Sequence, residues 1–174
     1  MVGQHHAIWR VETLAGNHDR DNFACGAPAL DRYLRQQASQ DVRSGVAAAF
    51  VLTPGGGTIA GCYTLSSSAV HLAKLPQAET WKLPRYEFVP ATLLGRLAVH
   101  EGFRGQKLGG VLLLDALKRA HSAAKEVASW AVIVDAKDES AKTFYEHFEF
   151  KQVVGEPYKL FLPMKRIDPL LVHL

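Results

Sequence analysis

The sequence predicts an α+β fold built around one strand, loop and helix. Three observations carry this. Seven short runs rich in β-branched and aromatic residues are spread along the chain. Longer segments between them place apolar residues at helical spacing. Near the middle, a nearly continuous apolar run ends in the glycine-rich stretch Arg104-Gly105-Gln106-Lys107-Leu108-Gly109-Gly110, from which a helical pattern departs.

In chain order, Ile8 to Glu12 is a short β-like run. Pro28 to Ser44 reads as a helix, because Pro28 suits a first turn and Leu30, Tyr33, Leu34 and Ala38 fall at helical spacing. Gly45 ends it. Val46 to Thr53 and Thr58 to Val70 flank Pro54-Gly55-Gly56-Gly57 and so read as a hairpin. The long connection from His71 to Phe88, with Pro76 and Pro84, is expected to be functional or to hide a short helix. Pro90 to His100 is the next strand, and its apolar run Leu93 to Val99 predicts burial on both faces. Gly95 marks a bulge or a close backbone approach.

The helix after the glycine-rich stretch is expected to reach about Val127, with the stripe Leu108, Val111, Leu112, Leu117 and Ala120. Trp130 to Ala136 is a further buried strand. Asp138 to Phe148 is a helix with Asp138 as N-cap. Phe150 to Val154 and Lys159 to Leu162 close the sheet about the turn Gly155-Glu156-Pro157.

At 174 residues, 48% hydrophobic and 21% charged, the chain suits one globular domain, read here as residues 1–166 with a tail, 167–174, that matches no pattern. Cys25 and Cys62 have no metal or disulfide spacing and read as small apolar residues. Gln4, His5 and His6 stand where a leader would need an apolar run, and no apolar stretch is long enough to span a bilayer. A cytoplasmic protein with no membrane partner is therefore expected. The net charge of +3 permits a polyanionic partner without establishing one.

The chemistry begins at Arg104 to Gly110. A helix N-terminus presents unpaired N–H donors and the positive end of its dipole, and glycine lets backbone approach an anion closely. Such a loop is a pyrophosphate cradle, to which Arg104 adds a charged donor. Neither the Gly-Lys-Ser/Thr of a Walker loop nor the Gly-x-Gly-x-x-Gly dinucleotide spacing is present. On these residues alone, a glycine turn feeding a buried helix is an equal reading.

Arg104 to Gly109 resembles the coenzyme A signature of the GNAT acetyltransferases, Gln/Arg-x-x-Gly-x-Gly/Ala. Arg104 and Gly109 match its ends, and Lys107 stands where the family has glycine. Leu97-Ala98-Val99 resembles the family strand that pairs with the pantetheine arm. Val134 to Tyr145 resembles its strand–helix segment ending in Phe-Tyr, with Glu149-Phe150 in place of the usual Gly-Phe.

The resemblance implies a mixed central sheet of six to seven strands flanked by helices, with acetyl-CoA as donor and no metal. It implies that Leu97, Ala98 and Val99 hold the pantetheine, and that Arg104, Gly105, Gln106, Lys107, Leu108, Gly109 and Gly110 hold the diphosphate. Ala141 and Phe144 would line the coenzyme. An N–H near Val99 would face the developing oxyanion, and Tyr145 would be the general acid; a core tyrosine is the other reading of Tyr145. His100 and Glu101 are either a proton relay or plain loop residues.

The first half narrows the resemblance. Phe23-Ala24-Cys25-Gly26-Ala27-Pro28-Ala29-Leu30-Asp31-Arg32-Tyr33-Leu34 resembles the start of GNAT toxins that acetylate aminoacyl-tRNA. Gly61-Cys62-Tyr63-Thr64-Leu65-Ser66, Pro84-Arg85-Tyr86 with Pro90 to Val99, and Leu160 to Met164 are similar to later blocks of the same toxins. This implies aminoacyl-tRNA as acceptor, a ribbon-helix-helix antitoxin as partner, and a homodimer. Candidate tRNA contacts are Arg32, Arg35, Lys74, Lys82, Arg85 and Arg96, with Trp81 as a stacking platform and Ser66, Ser67 and Ser68 at the acceptor site. The cations also read as solvated surface charges, with Arg96 alternatively pairing internally; Trp81 equally reads as a core or lid residue, and the serines as a polar strand edge. Two other functions stay open: acetylation of a small amine, polyamine or protein N-terminus, and a non-catalytic coenzyme A-binding module.

Overall fold

The structure, a computed structural model, describes residues 8–172. Gln4, His5 and His6, and the last two residues of the tail, lie outside the described residues. The elements are β1 (Arg10–Thr13), α1 (Pro28–Gln36), α2 (Ala38–Arg43), β2 (Ala48–Thr53), β3 (Gly61–His71), α3 (Gln77–Thr80), β4 (Phe88–Val99), α4 (Leu108–Ala123), β5 (Ala131–Asp135), α5 (Glu139–His147), β6 (Lys151–Val153), β7 (Glu156–Pro163) and α6 (Ile167–Val172). The strands pair in the order β1-β2-β3-β4-β5-β7-β6. β4 and β5 are parallel, whereas β1–β2, β5–β7 and β6–β7 are antiparallel, so the sheet is mixed as expected.

Two compact units share these strands. One holds the described residues up to Thr64 together with Arg96–Asp115; the other holds Leu65–Gly95 and the residues from Ala116 onward. The first is cored by Phe23, Leu34, Ala38, Val51, Ile59 and Ala98. Val70, Leu75, Val89, Ile133, Val153 and Phe161 core the second. No helix among the described residues is long and apolar enough to cross a membrane.

Several expectations need correction. The first helix is two, because the chain turns at Gln37, with φ −117° and ψ −36°. The Asp41 carboxylate accepts from both the Tyr33 hydroxyl and the Gln37 amide, each at 2.9 Å, which ties the two helices across the turn. Gly45 does close it, at φ +71°. Its N–H meets the Val42 carbonyl at 3.2 Å and the Val46 N–H meets that of Asp41 at 2.9 Å, the paired bonds of a glycine C-terminal cap.

β4 is not buried on both faces. Val89, Ala91, Leu94 and Ala98 are buried while Leu93, Leu97 and Val99 are partly exposed, so its unbroken apolar run hides a half-exposed strand. The left-handed residue of β4 is Arg96, at φ +49°, not Gly95. On α4, Val111 is 41% exposed, and Leu113 and Ala116 take the buried places. Glu156 and Pro157 belong to β7, and the turn before them is made by Gly155 at φ +79°.

The connection after β3 does hide helix: a 3-10 turn at Leu72–Lys74 and then α3. A buried carboxylate anchors it. Glu79 accepts from Lys151 Nζ at 2.8 Å and Arg166 Nη2 at 2.6 Å, both on Oε1, while Oε2 has no hydrogen-bond partner among the described residues. Burial pushes the Glu79 carboxyl up, but the Lys151 hydrogen bond and the Arg166 charge outweigh it and hold the group below its ordinary value. Glu79→Ala should cost about 2 kcal/mol, less than a fully buried pair because both cations are partly exposed. Glu79's stabilisation is complete above the unfolded glutamate value near ~4.3 and is lost as pH falls through the lower folded value. Thermal melts at pH 7 and pH 3 should therefore show the gap between wild type and variant closing in acid.

Candidate active site

In the first unit, the end of β4 is sewn to the segment before α1. His100 donates its backbone N–H to the Ala60 carbonyl at 2.8 Å, and Glu101 donates to Ala24 at 2.8 Å. The His100 ring accepts the Gly102 N–H on Nδ1 at 2.9 Å, which leaves Nε2 to donate to the Asn22 carbonyl at 2.8 Å. Both ring nitrogens serve backbone, so His100 is a brace rather than a proton relay. Arg104 Nη2 donates to the Cys25 carbonyl at 2.8 Å. A Cβ on Gly26, which sits at φ +85°, would lie 2.7 Å from that nitrogen. Asp31 accepts the Cys25 N–H at 2.9 Å and is itself buried. The Cys-Gly…Leu-Asp pattern thus has a physical reason: it shapes the support under the glycine-rich loop.

The loop then turns left-handed twice, at Gly105 (φ +81°) and Lys107 (φ +58°). Among the described residues, no acceptor takes the N–H of Gly105 or Lys107. The first-turn amides of α4 at Leu108, Gly109 and Gly110 have no intrahelical acceptor either. These donors form one cluster at the positive end of a 16-residue helix, a set that fits a diphosphate. Lys107 holds the conformation its family counterpart leaves to glycine, at a cost of about 1 kcal/mol. Its side chain is exposed and pairs with no carboxylate among the described residues. Of the pantetheine candidates, Ala98 is buried and Leu97 and Val99 are partly exposed.

In the second unit, the Asp138 carboxylate caps α5, accepting the Ala141 N–H at 2.8 Å. Ala141 and Phe144 are partly exposed. Tyr145 is 7% exposed, its ring 5.2 Å from that of Phe144 and 5.5 Å from that of Phe150. Burial pushes the phenol up to about 12, and its hydroxyl has no hydrogen-bond partner among the described residues. Glu149 ends α5 at φ +70°. Its N–H reaches the Glu146 carbonyl at 3.0 Å and the Phe150 N–H reaches that of Tyr145 at 3.3 Å. Glutamate again fills a place suited to glycine.

Arg32 and Arg35 are exposed on α1, and neither pairs with a carboxylate among the described residues. The Arg96 guanidinium lies 3.8 Å over the Tyr33 ring. The Tyr33 phenol is pushed up to about 12 by burial and by its hydrogen bond to Asp41. Sequence reasoning places Tyr33 on the helix stripe and in the toxin-like segment and allows Arg96 an internal partner, but does not join the two with Asp41. In the other unit, Arg85 is exposed and Ser66 half-buried on β3. Lys74 pairs with Glu156 at 3.3 Å, and Lys82 lies 4.7 Å over Trp81. Trp81 is 70% exposed, which removes a core role. No three metal-capable side chains gather among the described residues.

Comparison with known proteins gives the family. Residues 47–152 match the acetyltransferase (GNAT) domain. The chain is 37% identical over 147 residues to a tRNA-acetylating toxin of Mycobacterium tuberculosis (strain ATCC 25618 / H37Rv), covering 84% of this chain and 87% of that one. It is 26% identical to a probable toxin TacT of Sinorhizobium fredii (strain NBRC 101917 / NGR234), covering 92% and 94%. Among solved structures, AtaT complexed with acetyl-methionyl-tRNAfMet superposes with a TM-score of 0.87 at 32% identity, over 94% of this chain and 99% of that one. A KacT mutant gives 0.88 at 30% identity, over 93% and 98%. The chain belongs to the GNAT acetyltransferase family.

Proposed function

We propose that the chain transfers the acetyl group of acetyl-CoA to the α-amine of aminoacyl-tRNA and so acts as a toxin that blocks translation. The observation that carries the reading is the amide cluster from Gly105 to Gly110, open to an anion and braced from the segment that resembles the toxins. The 37% identity to a tRNA-acetylating toxin supports the acceptor, as do the exposed arginines Arg32 and Arg35 on α1.

Acetyl-CoA supplies the thioester that the amine attacks. Arg104 to Gly110 hold its diphosphate, the backbone of Leu97, Ala98 and Val99 holds the pantetheine, and Ala141 and Phe144 border it. An N–H near Val99 donates to the charge that grows on the carbonyl oxygen, a contribution of about 3 kcal/mol. Tyr145 keeps its proton at Oη and gives it to the departing sulfur; the acetylated nitrogen sheds its surplus proton to solvent, from which the phenol is reprotonated. No base is required of the chain, since an aminoacyl α-amine ionises at or below about 8 and is substantially neutral at pH 7. Arg32, Arg35, Arg85 and Arg96 steer the tRNA, and Ser66 borders the acceptor.

AtaT has been seen bound to the C-terminus of its antitoxin AtaR, and KacTA bound to DNA. For this chain we infer a ribbon-helix-helix antitoxin, a homodimer, and a cytoplasmic setting. The test is incubation with labelled acetyl-CoA and charged or deacylated tRNA. Label should enter the charged pool alone. Label on polyamines or peptide N-termini, with charged tRNA left bare, would refute the acceptor assignment.

A further inference from the structure

We propose that Trp81 is a stacking platform for an unpaired nucleobase at the single-stranded end of the acceptor tRNA. The inference rests on the aminoacyl-tRNA reading above and names a side chain that grips that acceptor. The turn that carries Trp81 is pinned on both sides. Before it, Leu75, Glu79 and Thr80 are buried, and Glu79 is tied to Lys151 and Arg166. After it, Leu83 packs against the core of the second unit. The Trp81 N–H donates to the Gln77 carbonyl at 3.1 Å, and the Leu83 N–H to that of Thr80 at 2.8 Å. Between these anchors the Trp81 side chain is displayed, 70% exposed. A lone exposed aromatic calls for no explanation. An indole held out from an anchored turn is different, because its support loses little freedom when a partner arrives.

The charges around the ring select the partner. Lys82 Nζ lies 4.7 Å over the indole, and Arg85 follows on the same segment. Both are exposed, and neither pairs with a carboxylate among the described residues. Of the carboxylates in this connection, Glu79 is buried and bridged by its cations, and Glu87 lies 3.8 Å from the His71 ring. The segment thus presents a flat π-face beside unpaired positive charge. One nucleotide carries the complement of both, an aromatic base and an anionic phosphate. A duplex hides its base faces in its own stack, so the match is to a single strand. An acidic peptide would meet the cations and leave the indole unmatched.

Steady-state acetylation of charged tRNA tests the platform. Trp81→Ala should raise KM for charged tRNA roughly tenfold or more, with kcat, KM for acetyl-CoA and the melting temperature unchanged. Trp81→Phe keeps a π-face and should recover most of the loss. Stacking releases no counterions, so the dependence of log KM on log salt should keep its wild-type slope in Trp81→Ala. A flattened slope would mean that the residue acts only through charge placement, and would overturn the stacking role. Binding is read separately by indole fluorescence. Wild-type emission should be quenched by a short single strand ending in CCA and not by the same strand paired into a duplex. Trp81→Phe, which retains Trp9 and Trp130, should lose that quenching. A wild-type KM for charged tRNA in Trp81→Ala would overturn the platform and leave the acetylation reading standing. The same KM with weakened antitoxin binding would give the ring to a protein partner instead. If the wild-type chain left charged tRNA unacetylated, the acceptor reading would fall and the quenching would decide Trp81 alone. Quenching by the single strand only would uphold the platform, and equal or absent quenching would overturn it.

Discussion

Tyr145→Phe is expected to lower kcat by roughly a hundredfold or more while acetyl-CoA affinity stays within about twofold. General acids contribute on that scale, and about 3 kcal/mol of barrier corresponds to it. Phenylalanine keeps the ring between Phe144 and Phe150 and removes one atom. That atom has no hydrogen-bond partner among the described residues, so stability should change by less than about 0.5 kcal/mol. Lost turnover with an intact fold and intact donor binding is thus the signature of the proton-donor role. If single-turnover acetylation by the variant matched wild type, the acid would lie elsewhere.

The pH profile gives an independent check. Burial holds the phenol up to about 12, so wild-type kcat should rise as the acceptor amine deprotonates and then stay level beyond pH 10. A fall between pH 8 and 10 would point to another acid. Stability follows the same shift with the opposite trend. The folded phenol titrates above the unfolded value near ~10, so the contribution is intact below pH 10 and is lost as pH rises from there toward 12.

The sequence was most readable where one local rule decides the outcome. Asp138 caps α5, Gly45 ends α2, and the three glycines from Gly55 to Gly57 all turn at positive φ. The amide cluster was legible for the same reason, since unpaired donors follow from a helix beginning after a glycine-rich loop. It was less readable where distant residues decide. His100 stood open between a proton relay and a plain loop residue. Its two ring nitrogens are claimed by Gly102 and by Asn22, 78 positions away in sequence. Arg96 keeps its left-handed backbone beside Gly95, its guanidinium laid on Tyr33 from α1, a pairing with no local signature. Lys107 and Glu149 show a third case. The family pattern marked both as glycine positions, and the chain keeps the left-handed turn at each without the glycine.

Gly61→Ala should be a damaging small substitution in the first unit. Gly61 opens β3, and a Cβ there would lie 2.7 Å from Leu112 Cδ1 and 2.9 Å from the Ala98 carbonyl. The carbonyl is backbone of β4 and cannot rotate away. Leu112 is fully buried on α4, so its methyl has no free space to enter. Relief requires β3, β4 and α4 to separate locally, which costs about 2 kcal/mol and lowers the melting temperature by roughly 4–8 °C. The displaced segment includes Ala98, proposed to hold the pantetheine, so KM for acetyl-CoA should rise several-fold while Tyr145 chemistry is untouched. Gly16→Ala is the control: Gly16 is exposed, a methyl added there would meet nothing within 4 Å, and its melt and KM should match wild type. Equal melts for the two variants would mean that β3 yields freely against β4. A cold-stable Gly61→Ala with normal KM would separate the strand contact from donor binding.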